Sequence, residues 1–169
     1  MLTLLRNPDQ LARLRANPEL MPSAVKQMLR FESPANVVAR VTRTPIHAGG
    51  VDIPAGELLY CLTAATNRDL SFFTDPQRFD IGRTPNPHLS FGGGMHYCIG
   101  APLARLEGSV AFEALLSRFP YLQQAQTEVH WRPLINLRVL TALSLQAYRP
   151  IEPPSSHRAP HSAAAGAMA

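Results

Sequence analysis

The run Phe91-Gly92-Gly93-Gly94-Met95-His96-Tyr97-Cys98-Ile99-Gly100, leading straight into Ala101-Pro102-Leu103-Ala104-Arg105-Leu106-Glu107, constrains this chain more than any other stretch. Its glycines tolerate positive φ and carry no side chain, so the backbone can bend sharply and pass close to a flat partner. Pro102 suits a first helical turn, where its missing N–H is not needed. The pattern predicts a glycine-rich turn that delivers Cys98 to the mouth of a helix over residues 102–119. There the outward-pointing helix N–H groups and the positive end of the helix dipole favour thiolate over thiol, and a thiolate so placed is a soft metal ligand. Read from the residues alone, two plainer assignments stay open. A free cysteine is often a small buried hydrophobe, and His96-x-Cys98 could be half of a zinc site. The only other cysteine is Cys61, with no C-x-x-C partner. Cys61 sits in the apolar run Leu58-Leu59-Tyr60-Cys61-Leu62, where a core thiol is expected.

Composition narrows the classes. At 169 residues and 46% hydrophobic the chain is of single-domain size and can bury a core. The net charge of +4 arises from 16 Lys+Arg against 12 Asp+Glu, and Lys26 is the sole lysine. The arginines are scattered singly and form no basic stripe, so nucleic acid is not an expected partner. Arginine's planar fork does suit the binding of carboxylates. No apolar run approaches membrane-spanning length, and the apolar start ends at Arg6, too soon for a secretion signal. Two cysteines without such a signal fit a reducing compartment. A soluble, cytoplasmic chain with no membrane contact is expected.

Along the chain, helices come first and strands later. Residues 1–6 read as the end of a helix without a capping residue before it. Asn7-Pro8-Asp9 reads as a cap, a first-turn proline and a first-turn acid, with Leu11 and Leu14 on one face until Asn17-Pro18. Another helix starts at Pro22, carries Val25, Met28 and Leu29 as an apolar stripe, sets Gln27 and Arg30 on one side, and ends at Ser33-Pro34. Residues 36–62 alternate like strands, with Gly49-Gly50 as the reversal. Residues 67–90, rich in Asp, Pro and Asn, read as a long irregular meander of the kind that serves a site. Residues 102–119 are apolar on nearly every side, which predicts a buried helix. A terminal hairpin is expected between residues 128–132 and 137–145, and from Pro150 the Pro, Ser, His and Ala content predicts a disordered tail.

The cysteine run resembles the haem-binding loop of the cytochrome P-450 family, whose pattern F-x-x-G-x-[RH]-x-C-x-G is filled at every defined position by Phe91, Gly94, His96, Cys98 and Gly100. The resemblance extends in order over about residues 2–148. It implies a mainly α fold with small β-sheets (α+β), the C-terminal part of the cytochrome P-450 fold, with the N-terminal part and most of the long central helix missing. Residues 1–149 would be a partial haem domain and residues 150–169 a Pro/Ala/Ser tail.

The resemblance assigns roles residue by residue. Cys98 would be the axial thiolate of haem b iron, and so the metal ligand and catalytic centre, its electron donation favouring O–O cleavage. Phe91 would pack beside the sulfur, Gly92, Gly94 and Gly100 would let the loop approach the ring, and His96 and Arg40 would bind haem propionates. Val37 and Val38 would line the substrate pocket, and Asn67-Arg68-Asp69 would be structural. The residues 24–34 resemble the helix that carries the family's E-x-x-R motif, with Gln27 in the glutamate position and Arg30 in the arginine position. Asp75-Pro76-Gln77-Arg78-Phe79 supplies Arg78, the third member of what is in the family a buried charged triad. Here two cations would be left without a carboxylate between them, and removing one partner of a buried ion network costs about 3–5 kcal/mol.

The activity implied is that of a haem-thiolate monooxygenase, inserting oxygen into a small apolar substrate. Its electrons would come from NAD(P)H indirectly, through a ferredoxin and ferredoxin reductase or a similar donor. The family's oxygen-activating acid and alcohol pair would lie before Met1. The alternative is therefore a truncated, non-catalytic haem-binding or inert remnant, and a zinc-binding module stands third.

Overall fold

Proline, with φ fixed near the helical value and no N–H to satisfy, opens most of the helical segments. The computed structural model of the chain describes residues 1–148. It begins with α1 (Leu2–Leu5), α2 (Pro8–Ala16), a 3-10 turn (Pro18–Leu20) and α3 (Met21–Phe31), the last three each with proline in their first two positions. Asn7 stands at the start of α2, as read, but its side chain donates back to the Thr3 carbonyl at 2.7 Å and makes no cap.

The apolar positions of these helices converge on one core. Leu4, Leu11, Leu14, Met21, Ala24, Val25 and Met28 pack with Phe79 and Ile81, which the irregular segment folds back onto them. Leu14 is 1% exposed, and truncating such a side chain to alanine costs about 2–5 kcal/mol.

After α3 the chain forms β1 (Val38–Val41), β2 (Ile46–Ala48), β3 (Val51–Ile53) and β4 (Leu58–Cys61). β1 and β4 pair antiparallel, Val38 opposite Cys61 and Val41 opposite Leu58. Inside that pair β2 and β3 make a hairpin whose two-residue turn is Gly49-Gly50, at φ 58° and 78°. Positive φ at both turn positions matches the twist of the strands and selects glycine. The strand reading of residues 36–62 and its reversal therefore hold. Cys61 does not lie in a core: its two-stranded sheet has no covering layer among the described residues, and the thiol is free and exposed.

A short helix α4 (Thr63–Thr66) leads into the irregular segment, which arginine forks tie to backbone carbonyls. Arg83, for example, donates to the carbonyls of Thr74 (2.7 Å) and Asp75 (2.9 Å). A 3-10 turn (Gly94–His96) then precedes α5 (Ala101–Arg118).

α5 lies against α3, where Gly108 permits close approach: a Cβ added there would sit 3.2 Å from a methyl of Val25. Phe112 and Leu116 reach the core from this side. The expectation of a helix buried on all sides is corrected. Leu103, Leu106 and Val110 are 59%, 61% and 56% exposed, because among the described residues α5 is covered on one side only.

The terminal hairpin starts earlier than the sequence reading placed it. β5 (Leu122–Gln124) pairs with β6 (Leu145–Ala147), while residues 128–132 contribute one isolated bridge, Trp131 to Leu140. Pro133 lacks the N–H that would continue a ladder there. The returning segment docks behind α3: Arg138 ion-pairs with Glu32 and lies 3.7 Å over the Trp131 ring. The expected tail and the boundary at residue 149 fall outside the described residues. Among the described residues no helix is long and apolar enough to cross a membrane.

Candidate functional site

The cysteine loop is shaped by backbone bonds that its glycines allow. The Gly92 N–H donates to the Leu89 carbonyl (2.9 Å) and the Tyr97 N–H to the Gly94 carbonyl (3.1 Å), with Gly92 at φ 73° and Gly94 at φ 60°. A side chain at either position would strain the backbone by roughly 1–3 kcal/mol. The Cys98 N–H then donates to the Phe91 carbonyl at 2.9 Å, and the Cys98 carbonyl accepts the Ala101 N–H at 3.1 Å, which joins the loop to the first turn of α5. Cys98 is thus held at both ends of its backbone while its thiol stays free and exposed. Met95 and Ile99 beside it are 98% and 100% exposed, so the loop offers a sulfur set among bare apolar side chains.

Beneath the loop Phe91 is half-buried. The Arg105 guanidinium lies 5.0 Å from the Phe91 ring centre and donates to the Tyr97 hydroxyl at 2.7 Å. The sequence reading gave Arg105 and Tyr97 no part. They lie eight residues apart on either side of the helix start, a spacing that carries no pattern of its own. The His88 ring is 6.0 Å from Phe91, and burial, reinforced by the positive charges of Arg105, Lys26 and Arg30, pushes its pKa down to about 4.

Arg40 is exposed on β1, opposite Leu59, with its guanidinium turned onto the Ala39 carbonyl (2.8 Å), and His96 is exposed on the 3-10 turn. Among the described residues neither meets a carboxylate. Val37 and Val38 are half-buried at the start of β1.

Gln27 and Arg30 are brought together as expected, both with almost no exposure. Arg30 Nε donates to Gln27 Oε1 at 2.9 Å, Nη1 to the carbonyls of Asn67 (2.7 Å) and Pro76 (3.1 Å), and Nη2 to the Arg78 carbonyl (3.3 Å). Arg78 differs from the reading. Its side chain is exposed, and it joins the network through its backbone carbonyl, which also accepts from Gln27 Nε2 at 3.4 Å. The repulsion of two buried guanidiniums is not built. A cage of carbonyl dipoles stands where a carboxylate was missed, and burial still lowers the Arg30 pKa to about 10.

This loop, the arginine cage behind it and the fold that joins them match one family: the model for Cytochrome P450 fits residues 7–141. The chain belongs to the cytochrome P450 family. It is 51% identical over 142 residues to the biotin biosynthesis cytochrome P450 of Bacillus subtilis (strain 168), covering 84% of this chain and 36% of that protein. It is 42% identical over 145 residues to the 6-deoxyerythronolide B hydroxylase of Saccharopolyspora erythraea, covering 85% of this chain and again 36% of the relative. Among solved structures it resembles P450BioI in complex with acyl carrier protein ligated to hexadec-9Z-enoic acid. That match has a TM-score of 0.85 at 49% identity and covers 87% of this chain and 38% of that one. The chain therefore spans little more than a third of these relatives' lengths, and the expectation of a partial cytochrome P450 fold holds.

The residues present fit the family's haem. A free, exposed thiol stands among glycines whose open side would admit a flat ring: nothing lies within 4 Å of a Cβ built on Gly94, and one built on Gly100 would approach the Cys98 sulfur at 3.8 Å. Arg40 and His96 are exposed basic side chains that make no ion pair among the described residues.

Proposed function

We propose that this chain carries the haem-thiolate centre of a bacterial-type monooxygenase acting on a small apolar substrate. Cys98 would hold the haem iron through its thiolate, Phe91 would flank the sulfur, Gly92, Gly94 and Gly100 would make room for the ring, and His96 and Arg40 would bind the propionates. Haem supplies, when bound, the oxygen-activating chemistry that no side chain of the loop possesses. The chain's own contribution is to hold the sulfur still, to neutralise two carboxylates, and to offer Val37 and Val38 as apolar contacts for substrate. Electrons derived from NAD(P)H reach it through a ferredoxin and its reductase or a similar donor, in the cytoplasm. A carrier protein that presents an acyl substrate is a further partner class, by analogy with the complex formed by P450BioI.

The observation that carries this reading is the free Cys98 thiol, exposed between glycines at the mouth of α5. The test is the ferrous carbon-monoxide difference spectrum of the haem-reconstituted chain beside Cys98→Ser. A strongly red-shifted Soret band that the serine variant lacks supports thiolate ligation, and its absence from the unaltered chain refutes it.

A second reading, a haem-binding or inert piece without turnover of its own, is favoured by the apolar surface that α5 leaves open at Leu103, Leu106 and Val110. Haem binding with the red-shifted band but without product, given electrons and a panel of apolar substrates, would select it.

A further inference from the structure

Behind the cysteine loop lies a buried amide that neither the triad nor the ligand pattern accounts for. Asn67 has no exposure and spends every polar atom of its side chain on the loop's approach. Its Oδ1 accepts the Leu89 N–H at 2.7 Å, and its Nδ2 donates to Ser90 Oγ at 2.9 Å. Ser90 Oγ in turn donates to the Leu29 carbonyl of α3 at 2.7 Å. The backbone of Asn67 is itself fixed, its carbonyl taking Arg30 Nη1 (2.7 Å) and its N–H reaching the Thr63 carbonyl (3.0 Å).

From there the bonds run on to the sulfur. Leu89, held by Asn67, gives its carbonyl to the Gly92 N–H, and Phe91, next after Ser90, gives its carbonyl to the Cys98 N–H. We propose that Asn67 is a positioning residue for Cys98: its side-chain amide clamps Leu89 and Ser90 and so sets where the glycine loop delivers the thiol. Arg30 anchors the clamp to α3, which gives the arginine cage a consequence at the ligand as well as in the core. The geometry stands by itself, and its use at a metal rests on the haem-thiolate reading above.

The clamp is tested in the full chain by residue-resolved hydrogen exchange of Asn67→Ala, Ser90→Ala and Asn67→Asp. Loss of a buried hydrogen bond predicts about tenfold faster exchange at Gly92 and Cys98 in Asn67→Ala, with the amides of Leu11 and Leu14 in α2 unchanged. Asn67→Asp keeps an acceptor for the Leu89 N–H but loses the donor to Ser90 Oγ, so its exchange should fall between that of the unaltered chain and that of Asn67→Ala. If Asn67→Ala does not fold, Ser90→Ala decides, since it removes the two bonds of Ser90 Oγ, leaves Asn67 Oδ1 on the Leu89 N–H, and still predicts faster exchange at Cys98. Unaltered exchange at Gly92 and Cys98, or equal acceleration throughout the chain, overturns the proposal. In haem-reconstituted samples the fraction of bound haem showing the red-shifted carbon-monoxide band should fall severalfold in Asn67→Ala and recover in part in Asn67→Asp. A normal fraction in Asn67→Ala rejects the effect on the ligand, whereas no band in the unaltered chain rejects the haem-thiolate reading and leaves the exchange result to judge the clamp.

Discussion

Arg30 Nε lies 2.9 Å from Gln27 Oε1, one turn back along α3, and neither side chain reaches solvent. A buried cation is here held by a neutral amide and by the carbonyls of Asn67, Pro76 and Arg78. Hydrogen bonds to a charged group are stronger when the partner is also charged. Gln27→Glu should therefore stabilise the fold, by about 1–2 kcal/mol, and raise the yield of haem-loaded protein. Urea unfolding midpoints and haem content per chain check this. Equal values in both proteins would show that the carbonyl cage already balances the charge.

His88 predicts a pH dependence. Its folded pKa, about 4, lies below the ordinary 6.5 because burial disfavours the charged ring, so the unfolded chain takes up a proton first as pH falls. The stability tied to His88 is complete above 6.5, declines between 6.5 and about 4, and is lost below that. His88→Gln should flatten this part of the curve, which chemical denaturation across the window would reveal. An identical slope in both proteins would remove His88 from the account.

Gly108 lets α5 meet α3. A Cβ there would approach Val25 at 3.2 Å, a contact that alanine could relieve by a small shift and leucine could not. Gly108→Leu is expected to destabilise by about 1–3 kcal/mol or more through overpacking. Gly108→Ala should change little, since its better helix propensity offsets the tighter contact by about 1 kcal/mol. Thermal melting of the two variants separates these outcomes.

The open face of α5 should make the chain self-associate, as large exposed apolar patches do. Leu106→Lys together with Val110→Gln should shift sedimentation towards the monomer without altering the melting of α3. An unaltered distribution would place the association elsewhere.

Local chemistry made much of this architecture readable. Pro8, Pro22 and Pro102 announced their helices, Gly49-Gly50 its hairpin, and the filled loop pattern its family. The errors fall where local pattern says nothing of what a surface meets. The apolar sequence of α5 reads as burial, yet exposure depends on what covers the helix. Cys61 follows the same rule on its uncovered sheet. The family resemblance assigns Arg78 a buried guanidinium, whereas the fold uses its carbonyl, a group every residue possesses. The hairpin shifted because Pro133, with no N–H to give a ladder, follows directly on the shorter candidate strand at residues 128–132.

Trp131 is the only tryptophan in the sequence, and it lies beneath the Arg138 guanidinium that pairs with Glu32 at the end of α3. Its emission is therefore a built-in optical gauge of one junction, the docking of the C-terminal segment onto α3. Quenching or shift of that signal will follow the release of this seam, so it can precede melting of the core around Leu14 and should be read beside circular dichroism rather than in its place.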